Sequence, residues 1–86
     1  MEEFINIYSA PWCTYCTRTK QMLYDAGIEF VEIDISVSPD AEQHIKDQWG
    51  AKQIPVVETE EDVFWGWHPD KVKELIEQRA PSVFDY

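Results

Sequence analysis

The chain has 86 residues, 17 Asp and Glu against 7 Lys and Arg, a formal charge of −10 and two cysteines. That length fits one domain, and a 44% hydrophobic, 14% aromatic composition leaves enough to bury to argue against disorder. The charge disfavours nucleic acid and anionic membranes as partners, and two cysteines cannot staple a multi-bridge secreted scaffold. Met1-Glu2-Glu3 is acidic where a signal peptide would be basic, and no apolar run approaches membrane-spanning length, so the expectation is a complete, soluble, cytoplasmic monomer.

In chain order, Phe4-Ile5-Asn6-Ile7-Tyr8 reads as a strand stopped by Ser9-Ala10-Pro11. Cys13 to Ala26 has helical spacing, with Cys16, Thr19, Leu23 and Ala26 on one face and Gly27 as the stop. Phe30 to Ile35 alternates as a second strand. Ser38-Pro39-Asp40 opens a second helix with a hydroxyl cap, Pro at the first helical position and an acid suited to the dipole, and the helix runs to Trp49 before Gly50. Ile54-Pro55-Val56-Val57 begins a third strand, and Glu60-Glu61-Asp62 turns into a fourth, Val63-Phe64-Trp65. Pro69-Asp70 opens a last helix that turns Val72, Leu75 and Ile76 inward and ends before Pro81. The order β-α-β-α-β-β-α implies a parallel first pair with a right-handed crossover, an antiparallel final hairpin, and helices on both faces of a mixed sheet. Residues 1–81 form the expected domain, and 82–86 form a tail.

Acid is unevenly placed. No carboxylate occurs from Phe4 to Tyr24, a window that holds both cysteines, Arg18 and Lys20. This is either chance clustering around a buried strand or a segment in which an anion has to form.

Cys13-Thr14-Tyr15-Cys16 is the informative motif. A Cys-x-x-Cys pair at a helix start sets the first sulfur among unpaired N–H groups at the positive end of the dipole, which favours thiolate, and the second sulfur lies one turn on. Arg18 and Lys20 add positive charge nearby. These properties suit thiol–disulfide exchange, with Cys13 attacking and Cys16 resolving the mixed disulfide. Half a zinc site and a plain pair of buried cysteines are the rival readings. A zinc site would have to recruit His44 and His68, whose separation fits no compact finger, whereas a Cys-x-x-Cys after the first strand of a β-α-β pattern is the redox arrangement.

On these residues the chain resembles the thioredoxin-fold redoxins, specifically the glutaredoxin-like proteins and their NrdH-redoxin branch. The resemblance runs from Ile7 to about Ile76. It is carried by the cysteine motif, Gly27-Ile28, Val31-Glu32-Ile33-Asp34-Ile35-Ser36, Gln53-Ile54-Pro55-Val56-Val57 and Gly66-Trp67-His68-Pro69-Asp70. It implies a four-stranded mixed sheet flanked by three helices, a cis Ile54–Pro55 peptide facing the cysteines, backbone groups of Ile54 offered to a partner, and no bound metal or cofactor. Glutathione-using glutaredoxins carry Lys where this chain has Ala10, and a Gly-Gly pair followed by acids where it has Gly66 between Trp65 and Trp67. Losing a cation and adding rings weakens capture of a small anionic thiol. The resemblance therefore implies an NrdH-type carrier, recharged by thioredoxin reductase and reducing ribonucleotide reductase or another protein disulfide.

Tyr15, where that branch has Gln, and Trp12, similar to thioredoxins and mycoredoxins, keep open a glutaredoxin that draws on a low-molecular-weight thiol such as glutathione or mycothiol. A zinc- or iron–sulfur-binding interaction module is the reading from another class. The expected partner-facing residues are Trp12, Thr14, Tyr15, Gln53, Ile54, Pro55, Trp65, Gly66 and Trp67. Of the tryptophans among them, Trp67 sits where the family has Phe and is expected in the core, as is Trp49. His44 is expected to be a solvated surface residue, and His68 to cap the last helix or dock a partner.

Overall fold

A sheet of order β2-β1-β3-β4 forms the centre of the computed structural model, which describes residues 4–79. The elements follow as β1 (Ile5–Ser9), α1 (Thr14–Asp25), β2 (Val31–Asp34), α2 (Pro39–Trp49), β3 (Val56–Thr59), β4 (Val63–Trp65) and α3 (Pro69–Arg79). β1 runs parallel to β2 and antiparallel to β3, and β3 pairs antiparallel with β4, as the element order predicts. The domain boundary at residue 81 and the 82–86 tail lie outside the described residues.

Strand alternation divides the core in two. Ile5, Ile7 and Val57 meet Leu23 of α1 and Val72 and Leu75 of α3 on one face of the sheet. Tyr8 and Val56 meet Ile45 of α2 and Ala51 on the other. Cys16, Thr19 and Leu23 form the buried face of α1.

The ends of α2 are set by local chemistry. Ser38 Oγ accepts from the Ala41 N–H at 3.3 Å, Pro39 takes the first helical position, and Gly50 at φ 67° closes the helix in the left-handed region.

Several strand ends differ from the sequence expectation by a residue or two, β1 among them at Ile5–Ser9, and those of β2 and β3 have a local cause. β2 stops at Asp34 because its carboxylate accepts from the N–H and hydroxyl of Ser36 (2.9 and 2.5 Å), bending the chain toward α2. β3 begins at Val56 rather than Ile54, since Pro55 has no N–H to give the ladder. It extends to Thr59, whose Oγ1 accepts from the N–H groups of Glu61 and Asp62 (3.2 and 3.0 Å) and closes the acidic turn.

Candidate active site

Cys13 occupies the N-cap position of α1, with extended backbone, and its sulfur accepts from the Cys16 N–H at 3.3 Å. A sulfur thus stands where helices ordinarily carry the oxygen of Ser, Thr, Asp or Asn. The first turn of α1 contains no acid, so nothing on the helix competes for its positive end. Ala10 steadies the loop by accepting from the Cys13 N–H at 3.2 Å. Cys13 is half-buried and Cys16 is 0% exposed, and both are free thiols. Burial pushes the Cys16 thiol up, as do its hydrogen bond with Cys13 and the charge there. The Ala10 backbone and the Lys20 ammonium pull the other way and are outweighed. The reachable sulfur and the buried one are therefore different atoms, and burial favours the neutral thiol at Cys16.

The second wall comes from the chain before β3. Cys13 Sγ donates to the Ile54 carbonyl at 3.7 Å, and the Ile54–Pro55 peptide is cis. The Pro55 carbonyl accepts from the Gly66 N–H at 3.0 Å, tying this wall to the end of β4. Gly66 has φ 86°, a left-handed conformation that favours glycine, and a Cβ there would fall 2.5 Å from Gln53 Oε1, so the tip of the Gln53 side chain would have to move aside.

A third wall is aromatic. Tyr15 and Trp67 stack at 5.4 Å between ring centroids, 12° from parallel, and the Arg18 guanidinium lies 6.0 Å from each ring centre. Arg18 is thus engaged with this pair.

Hydrogen bonds link Cys13 to Cys16 and Ile54, and Pro55 to Gly66, while Tyr15, Arg18 and Trp67 form a second group that joins the first through the chain, Tyr15 beside Cys16 and Trp67 beside Gly66. Thr14 is exposed at the start of α1, and Trp12, 74% exposed, projects into solvent beside Cys13.

Trp65 and Trp67 exchange the places expected of them. Trp65 packs with Trp49 against the Tyr8–Val56 cluster on the α2 side, while Phe64, its neighbour in β4, faces α1 and α3. Trp67, past the strand's end, escapes this alternation and lies half-buried on Tyr15 rather than in the core. His44 is exposed as expected, edge-on to Trp49, and His68 precedes α3 against Phe64. Among the described residues, no three His, Cys, Asp or Glu side chains gather in a metal-binding group.

Lys20 is paired with Glu32 of β2, which also accepts from Ser9 Oγ at 2.8 Å. The acid-free stretch of sequence is therefore not acid-free in space. No local signal marks Glu32, because the parallel register that sets it opposite Ile7 is not written in either strand alone. The Lys20 hydrogen bond, and then that of Ser9, hold the Glu32 carboxyl below its ordinary value. The ionised form is favoured in the folded state, so this contribution is complete above the unfolded Glu value of about 4.3 and is lost as pH falls through the lower folded value. Urea titrations should show Glu32→Gln destabilised at pH 7 by no more than about 1 kcal/mol, the range of part-exposed pairs, with the gap closing in acid. An equal gap at pH 7 and pH 3 would show that the carboxylate's ionisation contributes nothing.

The glutaredoxin family model matches residues 5–64. The chain belongs to the glutaredoxin family. The Gene 56 protein of Mycobacterium phage D29 is 38% identical over 91% of this chain and 88% of its own length. The glutaredoxin-like protein NrdH of Salmonella typhimurium is 32% identical over 83% of this chain and 86% of its own. The solved NrdH-redoxin of Escherichia coli superposes with a TM-score of 0.78 at 31% identity, covering 83% of this chain and 92% of that one. The fold is that of NrdH-type, glutaredoxin-like thioredoxin domains, and its activity class is thiol–disulfide oxidoreductase. Among the described residues, no helix is long and apolar enough to cross a membrane.

Proposed function

We propose that this glutaredoxin is an NrdH-redoxin-like electron carrier that reduces protein disulfides as a monomer in the cytoplasm. Cys13 attacks one sulfur of the partner disulfide; the other partner sulfur leaves with the electron pair and is protonated. Cys16 then attacks Cys13 Sγ, the mixed disulfide breaks, and the second partner sulfur leaves as a thiol. The two cysteines have lost two electrons and the partner has gained them. Thioredoxin reductase, fed by NADPH, reverses the oxidation, and ribonucleotide reductase is the proposed acceptor.

The observation that carries this reading is the asymmetry of the pair: a half-buried sulfur at a helix N-cap, 3.3 Å from the N–H of a fully buried second cysteine. The wall around Cys13 supports a protein partner over a small thiol. It is built of Tyr15, Trp67 and an Arg18 already engaged with both rings, and Ala10 supplies no cation. The Escherichia coli NrdH-redoxin, described as having a thioredoxin-like activity profile, fits the same assignment.

The test is a coupled assay. Reduction of a protein disulfide should proceed with NADPH and thioredoxin reductase and be slow with glutathione, mycothiol and their reductases. The reverse preference would move the protein to the mixed-disulfide glutaredoxins, and stoichiometric zinc or an iron–sulfur chromophore in freshly purified protein would make it a binding module.

A further inference from the structure

Thr19 is 1% exposed, and among the described residues its hydroxyl is a buried side-chain oxygen with no hydrogen-bond partner. Leaving a buried hydroxyl unpaired is unfavourable, and a helical threonine ordinarily returns it to a carbonyl one turn back. Valine would fill the same outline without the polar atom. Packing alone therefore gives no reason for an oxygen here.

The residue lies three positions after Cys16 on the same buried face of α1. Side chains three apart on a helix are neighbours, and each leans toward the helix N-terminus, so Thr19 leans over the turn that carries Cys16. We propose that the Thr19 hydroxyl donates a hydrogen bond to the Cys16 sulfur when that sulfur becomes a thiolate during resolution of the mixed disulfide. This rests on Cys16 being the resolving thiol.

The state of the hydroxyl follows from the state of the sulfur. A neutral thiol is a weak acceptor, so in the dithiol form the hydroxyl has nothing strong to bind. At resolution Cys16 must shed its proton while 0% exposed, with no water shell to receive the charge. Burial then acts against the thiolate, and the Ala10 backbone and Lys20 favour it. Thr19 adds a neutral donor whose bond strengthens as charge develops. The charged groups on this side are Lys20 of α1 and Glu32 of β2 behind it, the Cys13 sulfur being bonded in the mixed disulfide at this step.

The reaction with 5,5′-dithiobis(2-nitrobenzoate) separates the two steps. Attack by Cys13 releases one thionitrobenzoate and leaves the other bonded to Cys13. Attack by Cys16 breaks that bond, forms the Cys13–Cys16 disulfide and releases the second. In Thr19→Val the first phase should keep its rate and the second should slow about tenfold, the loss of a hydrogen bond to a charged group. Thr19→Ser, which keeps the hydroxyl, should restore the second phase. A wild-type second phase in Thr19→Val, equal slowing of both phases, or no recovery in Thr19→Ser overturns the proposal. Cys16→Ser separates this from the parent reading: one equivalent released upholds Cys16 as the resolving thiol, and two equivalents remove that role altogether.

Discussion

Cys13→Ser is expected to lower protein-disulfide reduction by at least ~1,000-fold, the scale on which removal of a nucleophile acts. The serine oxygen can still accept from the Cys16 N–H, so the helix cap survives while the exchange chemistry does not. Melting temperature should therefore hardly change while turnover disappears. Cys16→Ser gives a different failure. Its Cys13 remains half-buried and reachable, so the first attack proceeds and the mixed disulfide accumulates. Mass spectrometry should find the partner bound through Cys13 and released by dithiothreitol. The buried member cannot substitute for the reachable one: Cys16 is 0% exposed and held as the thiol by burial and by its contact with Cys13. Disulfide reduction that survives Cys13→Ser would remove this assignment of roles.

How far the sequence led depends on whether each feature is written locally. α2 was legible at both ends because Ser38, Pro39 and Gly50 act on their own helix termini. The cysteine pair was legible for the same reason: Cys13 and Cys16 are one turn apart, and the turn itself makes their contact. β3 began later than its apolar run because Pro55 fits the pattern but cannot join the ladder. Trp65 and Trp67 changed places because a three-residue strand leaves its face to the pairing of Val56 with Trp65 and Val57 with Phe64. Glu32 was invisible, since its neighbours Ser9 and Lys20 come from two other elements. The acid-free window from Phe4 to Tyr24 was a true feature of the chain, but charge acts through space and β2 brings an anion back beside it.

Leu23→Ala is expected to cost about 2–5 kcal/mol of folding stability, the range for truncating a buried leucine that leaves a cavity. Leu23 is 0% exposed and lies where α1 meets Ile5, Ile7 and Val57 of the sheet and Val72 and Leu75 of α3. A chain of 86 residues has on the order of 4–13 kcal/mol in total, so this one change removes a large share of it. The loss reaches the site because Leu23 shares the buried face of α1 with Cys16 and Thr19. A loosened helix holds its N-terminal cap, and with it the 3.3 Å contact between Cys13 and the Cys16 N–H, less firmly. Tyr24→Ala, one residue on but exposed, should stay within about 0.5 kcal/mol of the parent, as surface changes do. Urea denaturation of both variants tests the pairing. A Leu23→Ala cost below 1 kcal/mol would mean that the face carrying Cys16 is not anchored through the sheet. In that case the low exposure of Cys16, on which the division of labour between the two sulfurs depends, would need another source.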